Sequence, residues 1–467
     1  MKIEQIYTKC LSQGAYYIES NGEAAIIDPL REVQPYLEKA EKDGAKIKYI
    51  FETHFHADFV SGHITLAEKT GAKIVYGPTA KTNFEAYIAK DNESFFVGNI
   101  EIVAIHTPGH TMESTIYLLK DESGKDYAIF SGDTLFIGDV GRPDLAQKGD
   151  ITKEDLAGYL FDSLRNKIMV LNDYVIVYPA HGAGSACGKN LSKETVSTIG
   201  DQKKTNYALR ENMTREEFIK EVTDGLLPPP DYFPLNVKLN KEGYESIDTI
   251  LEKGSKSLSV DQFIEKTEEY NALILDVRHQ FDFIKGFIPK SMFIGLNGTF
   301  APWVGALIKD INQPIVLVTP EGKEEETITR LARVGFDNVI GYLDGGFESW
   351  KEAGKTIDTL KSISAEELEK NIENNVIVFD VRKPGEFDNE HIKDVKNTPL
   401  DYLNDYISVF PQGKDFFIHC AGGYRSVIAA SILKAKGFNN VIDVAGGFAA
   451  IRKTNIQTTT PVCSMSS

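Results

Sequence analysis

His54, His56 and Asp58 place three metal-capable side chains within five residues of the fragment THFHADF, residues 53–59. A tight turn lets such groups converge, where a regular helix or strand would splay them apart. Three further apolar runs end in chemically competent residues beside small ones: His110 in TPGHT, Asp133 in SGDTLF and His181 in YPAHG. Neutral imidazoles and carboxylates gathered at successive strand ends are what a transition-metal site requires. A lone histidine is more often a hydrogen-bonded core or surface residue, and His63 and His106 are read that way. In GDVGRPD, Asp139 and Arg142 fall near the same rim. Arg142 is a candidate clamp for an anionic substrate group, with an ordinary ion pair as the competing reading. Cys187, six residues after His181, either lines the substrate entrance or is a buried bystander. A separate chemistry is centred on Cys420, in FFIHCAGGYRS. An apolar strand, a loop carrying Gly422 and Gly423, and a helix starting near Arg425 aim backbone N–H groups at the sulfur. That arrangement stabilises anions and activates a thiol. Arg425 adds a fixed positive charge.

The elements that position these groups fall into three segments. Residues 1–225 alternate short apolar strands with helical stretches, and LLPPPDYFP at 226–234 reads as an extended connector closing that domain. The chain then repeats itself. LILDVRHQF matches IVFDVRKPG with Asp276 and Asp380 104 positions apart, and GFDNVIGYLDGGF matches GFNNVIDVAGGF with Gly335 and Gly437 102 apart. A period of about 100 residues fits two tandem copies of one small domain, not a solenoid. Unalternating runs such as IVLV and FFIH between helices argue for parallel sheets covered on both faces. The middle copy has Thr319 where the last copy has Cys420, followed by Glu321, Glu324, Glu325 and Glu326. Negative charge there opposes an anion, so this copy is expected to be silent. The expected domains are 1–235, 236–358 and 359–467.

Composition bounds the rest. The 467 residues, 42% hydrophobic and 25% charged, suffice for several ordinary cores. A net charge of -17 disfavours nucleic acid and anionic membrane surfaces as partners. No run reaches the length of a membrane span or signal core, so a cytoplasmic protein is expected. Cys10, Cys187, Cys420 and Cys463 stand too far apart for a disulfide framework, and Cys463 is expected on a frayed tail. Six of nine histidines lie in the first 181 residues, matching the cluster above.

At these motifs the first domain resembles the metallo-β-lactamase superfamily, whose signature is T-H-x-H-x-D-H followed by later His, Asp and His motifs. The resemblance implies an αββα sandwich. Where the signature ends in His, this chain has Phe59. That His, with the Asp before it, normally holds the second of two metals, so a single metal is expected. The remainder is similar to the persulfide dioxygenase branch, which implies one Fe(II) held by His54, His110 and Asp133. His56, Asp58 and His181 then stand around it as water holders or additional ligands. Two histidines and one carboxylate suit non-haem iron and O₂, although zinc can fill such a site on purification.

The thiol loop has four residues between Cys420 and Arg425. Protein tyrosine phosphatases have five, and the shorter loop resembles rhodanese sulfurtransferases, as do Asp380-Val381-Arg382 and Gly446-Gly447. The order of domains resembles persulfide dioxygenase/rhodanese fusions of sulfide detoxification. It implies a thiol persulfide of the glutathione, coenzyme A or bacillithiol type, O₂, and sulfite or thiosulfate as partners, in a homo-oligomer. A glyoxalase II-like thioester hydrolase with accessory rhodanese domains is the competing expectation.

Overall fold

Strands Gln13–Ser20 and Glu23–Ile27 are buried along nearly their whole length, which requires cover on both faces. In this computed structural model, which describes residues 1–147, 150–189, 191–372 and 376–459, they get it. Cys463 lies outside the described residues. Six strands pair in sequence order from Lys2–Thr8 to Tyr87–Ile88, and a second sheet runs from Glu93–Val97 to Ser197–Thr198 in the same way. Tyr16, Ile18, Ile27, Phe51 and Val75 of the first sheet form one core with Ile100, Ile102, Tyr117, Leu119 and Phe130 of the second. The alternate residues face outward: Tyr17, Ile26 and Ile50 cluster with Tyr36 and Leu66 of two helices. On the far side, Ile105, Leu118 and Ile129 cluster with Leu160 and Phe218 of two others. Period-two alternation with both faces apolar thus gives helix, sheet, sheet, helix, the expected sandwich.

The strands end where the chemistry lies. Lys46–Phe51 runs into residues 52–58, Ile100–His106 into 107–110, Asp126–Gly132 into Asp133, and Ile176–Pro179 into His181. The proline-rich connector is irregular only as far as Tyr232. Phe233–Glu242 is a helix with Pro234 in its first turn, where a missing N–H costs nothing. This helix belongs to the first of two compact units, Met1–Thr249 with Leu331–Gly335.

The second unit, Ile250–Arg330 with the described residues from Phe336 onward, contains two five-stranded sheets. One is ordered Ser257–Leu258, Val339–Leu343, Ile315–Val318, Leu273–Asp276, Met292–Phe293. The other repeats that order with Lys361–Ile363, Val441–Val444, Phe416–His419, Ile377–Asp380, Lys396–Asn397. Every pairing in both is parallel. The Asp-Val-Arg units explain their own repetition. Arg278 Nη2 donates to Asp276 Oδ2 at 2.6 Å and to Gly286 O at 2.8 Å; Arg382 Nη2 donates to Asp380 Oδ2 at 2.6 Å and to Glu390 O at 2.7 Å. Each guanidinium also lies over a phenyl ring, Phe347 or Phe448, at 4.1 or 3.9 Å. These buried pairs fix the turn after the strand. Among the described residues no helix is long and apolar enough to cross a membrane.

Asp380→Ala leaves the buried Arg382 without its partner and is expected to cost about 3–5 kcal/mol. Chemical denaturation checks this; a loss under about 1 kcal/mol would remove the pair from its structural role.

Candidate metal centre and thiol loop

His54 is aimed by a chain of hydrogen bonds that starts on a neighbouring strand. Asp28, just beyond Glu23–Ile27, accepts from Thr53 N at 2.8 Å and from Thr53 Oγ1 at 2.8 Å. With its proton given to Asp28, Thr53 Oγ1 accepts from His54 Nδ1 at 3.0 Å. The lone pair of His54 therefore sits on Nε2. His110 reaches the same state differently, its Nδ1 donating to the Arg142 carbonyl at 2.9 Å. Both Nε2 atoms face Asp133 Oδ2, at 3.8 Å from His54 and 3.5 Å from His110. The close fit depends on Gly141: a Cβ there would fall 2.0 Å from Asp133 O and 2.9 Å from His110 Nδ1. Burial first, then His56, His110 and His181, hold His54 well below the usual imidazole range, which keeps it a neutral donor of electrons.

His181 completes the other side, with Nε2 3.6 Å from Asp133 Oδ1 and 3.5 Å from Asp58 Oδ1. Burial opposes its charging, but the two carboxylates outweigh it and hold His181 well above the usual range. His56 is turned away. Its Nε2 lies 3.1 Å from Asp28 Oδ1 and 3.3 Å from Glu52 Oε2, and its ring packs on Phe59 at 4.3 Å. Burial again opposes, yet Asp28 and Glu52 push His56 up to about 10. Glu52 also faces His63 Nδ1 at 3.1 Å. The turn itself is clamped by Asn240: its Nδ2 donates to His56 O and Phe59 O, both at 2.8 Å, and its Oδ1 accepts from Ser61 N at 2.8 Å.

The structure thus brings His54, His110 and Asp133 together as one trio, and His56, Asp58 and His181 as a second beside it. Cys187 lies within 4.8 Å of ligand atoms of Asp133 and His181. Burial, then Asp58 and Asp133, push its thiol up to about 12, so it is neutral. Arg142 meets the centre through its carbonyl; its guanidinium is fastened to Asp144 by two bonds of 2.6 Å and to Leu227 O at 2.5 Å. Asp139 accepts from Val140 N at 2.8 Å, Lys189 N at 2.7 Å and Tyr207 Oη at 3.1 Å, which makes it a loop brace. Asp133 supplies the fit test for a metal. Both of its oxygens are buried without a hydrogen-bond partner, among histidines whose free nitrogens point inward. A bound cation satisfies that set.

In the last domain, Cys420 follows the strand Phe416–His419 and is 1% exposed. Gly423 N donates to its Sγ at 3.1 Å, and Ser426 Oγ donates to it at 3.5 Å. Gly423 takes φ +94°, open to glycine alone at little cost. The helix Arg425–Ala435 starts at the loop, and Arg425 is held by Glu386 in a two-bond pair of 2.6 and 2.8 Å. A cavity of about 400 Å³ beside the loop is lined by Gly423, Gly446 and Asp443, and by Phe281, Ile284 and Lys285 of the middle copy. In the middle copy's own loop Thr319 Oγ1 donates to Glu324 Oε1 at 3.0 Å, beside a cavity of about 1100 Å³ lined by Thr319, Glu321, Glu324 and Arg278.

A sandwich that collects histidines and carboxylates at its strand ends, continued by two parallel-sheet domains, defines a class of metal-site α/β proteins with appended modules. The chain belongs to the metallo-beta-lactamase superfamily, matched over residues 9–181, and carries two rhodanese-like domains, matched over 259–353 and 364–454. It is 32% identical to a metallo-beta-lactamase from Staphylococcus aureus of known structure, with a TM-score of 0.65, covering 73% of this chain and 99% of that one. It is 31% identical to a probable hydroxyacylglutathione hydrolase of Schizosaccharomyces pombe over 38% of this chain, spanning 66% of that protein's length. To the mitochondrial persulfide dioxygenase of Homo sapiens it is 29% identical, over 47% of this chain and 78% of that protein.

Gly141→Ala is expected to lower metal retained after gel filtration about tenfold or more while leaving the circular dichroism spectrum in place. Metal analysis of the purified variant checks it; full metal content would show that the loop yields around a methyl group.

Proposed function

We propose that the first domain oxygenates the terminal sulfur of a low-molecular-weight thiol persulfide and that the last domain transfers sulfur through Cys420. The observation that carries the reading is the three-donor set His54, His110 and Asp133, beside a His56 held as a cation between Asp28 and Glu52. Phe59, where the superfamily signature has a ligand, supports one metal rather than two. Fe(II) held by the trio supplies the redox chemistry that brings O₂ and sulfur to reaction. The chain's own residues do the rest. Thr53 and the Arg142 carbonyl fix the tautomers of His54 and His110, Asn240 holds the turn, and His181 and Asp58 face the open side with a proton between them. One persulfide, one O₂ and one water give thiol, hydrogen sulfite and a proton. The Cys420 thiolate takes the outer sulfur of a second thiol persulfide, which leaves as its thiol, and sulfite attacking the resulting Cys420 persulfide takes that sulfur as thiosulfate and leaves the thiolate. Gly423 N and Ser426 Oγ stabilise that anion.

The similarity to a hydroxyacylglutathione hydrolase favours a second reading, metal-dependent thioester hydrolysis. Oxygen uptake separates the two. Protein reconstituted with Fe(II) without air is expected to consume O₂ on addition of glutathione persulfide, and His110→Ala to lower that rate by about 10²-fold or more. Thioester cleavage with zinc and no O₂ consumption would install the hydrolase reading. For the thiol loop, Cys420→Ser is expected to abolish thiocyanate formation from thiosulfate and cyanide, and retention of that activity would remove Cys420 from the transfer step.

A further inference from the structure

The Cys420 loop is loose at its tip and is tied down from outside its own domain. Gly422 is exposed, and a Cβ on it would meet nothing within 4 Å. Gly423, next to it, carries the N–H that reaches Cys420 Sγ at 3.1 Å. Two successive glycines leave that N–H free to swing unless the following residue is held. That residue is Tyr424. Its hydroxyl donates to Gly295 O of the middle copy at 2.7 Å, and its ring meets the buried Phe293 of the same copy edge to face, 6.0 Å between centroids. Burial pushes the Tyr424 hydroxyl well above its usual range, so it stays a donor. Gly298 makes room for it: a Cβ there would fall 2.3 Å from Tyr424 Cζ and 2.7 Å from its Oη.

The surface that receives Tyr424 is fixed in turn. Met292–Phe293 is an edge strand of the middle sheet, so its outer N–H has no strand to bond. Phe293 N donates instead to the buried Ser431 Oγ at 2.9 Å, about two turns along the helix Arg425–Ala435. Further along that helix, Lys434 Nζ meets Asp358 Oδ1 at 3.1 Å. The middle copy gives an internal control. Lys323 stands four residues after Thr319, as Tyr424 stands four after Cys420, and its Nζ turns to Glu326 in the helix that follows, at 2.9 Å. A tyrosine anchored in a second domain accompanies the thiol, and a lysine paired within its own copy accompanies the threonine.

We propose that Tyr424 is a positioning residue for the Cys420 sulfur and that the middle copy, through Gly295, Phe293 and Gly298, is the wall that holds it. This rests on the reading of Cys420 as the sulfur-carrying thiol. With Tyr424 anchored, the Gly423 N–H stays on the sulfur and favours its anion. With Tyr424 displaced, that N–H swings away and the anion loses a donor. The middle copy, whose own loop lacks a cysteine, is then a part of the transfer site of its neighbour.

The test is alkylation of Cys420 by iodoacetamide in the full chain, read by mass spectrometry on the Cys420 peptide. It needs no sulfurtransferase activity, so a failure of that activity leaves it standing. Gly298→Ala acts from the middle copy and is expected to slow alkylation at about pH 7 by about threefold to tenfold, the span of half to one pKa unit. In a Tyr424→Ala background the added methyl meets no ring, and the same change is expected to have no effect. At about pH 10, where a thiol ionises without help, the slowing is expected to shrink below about 1.5-fold. A loop that merely blocks access would slow the reaction equally at both pH values, and that result overturns the proposal. So does an unchanged or faster rate in Gly298→Ala, and so does a slowing that survives Tyr424→Ala. Should Gly298→Ala fail to fold, Tyr424→Phe decides, since it removes the hydroxyl alone. It is expected to slow alkylation at about pH 7 by about twofold to tenfold, the span of one hydrogen bond, and a rate equal to that of the unaltered protein overturns the anchor.

Discussion

The first domain is organised around a carboxylate that the protein leaves unsatisfied. Asp133 is 1% exposed, and neither of its oxygens has a hydrogen-bond partner in the chain. Burying an ionised carboxylate without compensation costs several kcal/mol, at the order of magnitude measured for broken buried pairs. His181, held well above its usual range, faces Oδ1 at 3.6 Å, and the groups on the other side leave a place for a cation. Thr53 and the Arg142 carbonyl spend the Nδ1 protons of His54 and His110, so both bare nitrogens point at Asp133. Gly141 gives up its side chain to let the Arg142 loop come close.

The same reasoning explains why His56 is withheld. Between two buried carboxylates the His56 ring offsets the charge of Asp28 and Glu52 together. Asp28 in turn orients His54 through Thr53. The positive charge on His56 thus supports, at one remove, the neutral state of His54. Phe59 packs on the His56 ring at 4.3 Å and has no ligand atom of its own.

Legibility in the sequence followed locality. The strand-end histidines and Asp133 were readable because their motifs are short, and the parallel sheets because unalternating apolar runs permit little else. Arg142 was legible as a residue near the rim, but what it does depends on which of its groups faces inward. Its carbonyl, not its guanidinium, meets His110, and no composition rule tells a side chain from a backbone role. Asn240 was invisible. It lies more than 180 residues from the turn it clamps, in a helix that begins inside a proline-rich stretch read as extended.

The two rhodanese-like copies show which constraints are architectural and which are chemical. Both retain the Asp-Arg pair, the ring over the guanidinium and the strand order, because those interactions close the sheet whatever the loop contains. The loops diverge in charge at one place, the start of the following helix, where backbone N–H groups need an anion. In the last copy the Cys420 sulfur stands there and accepts from Gly423 N and Ser426 Oγ. In the middle copy Glu324 stands in the first turn of its helix and takes the Thr319 hydroxyl as well. A carboxylate carried by the chain thus stands at the start of this helix, beside the cavity that the loop lines. Its fold persists because a helix N-terminus is satisfied equally well by an internal anion as by a bound one.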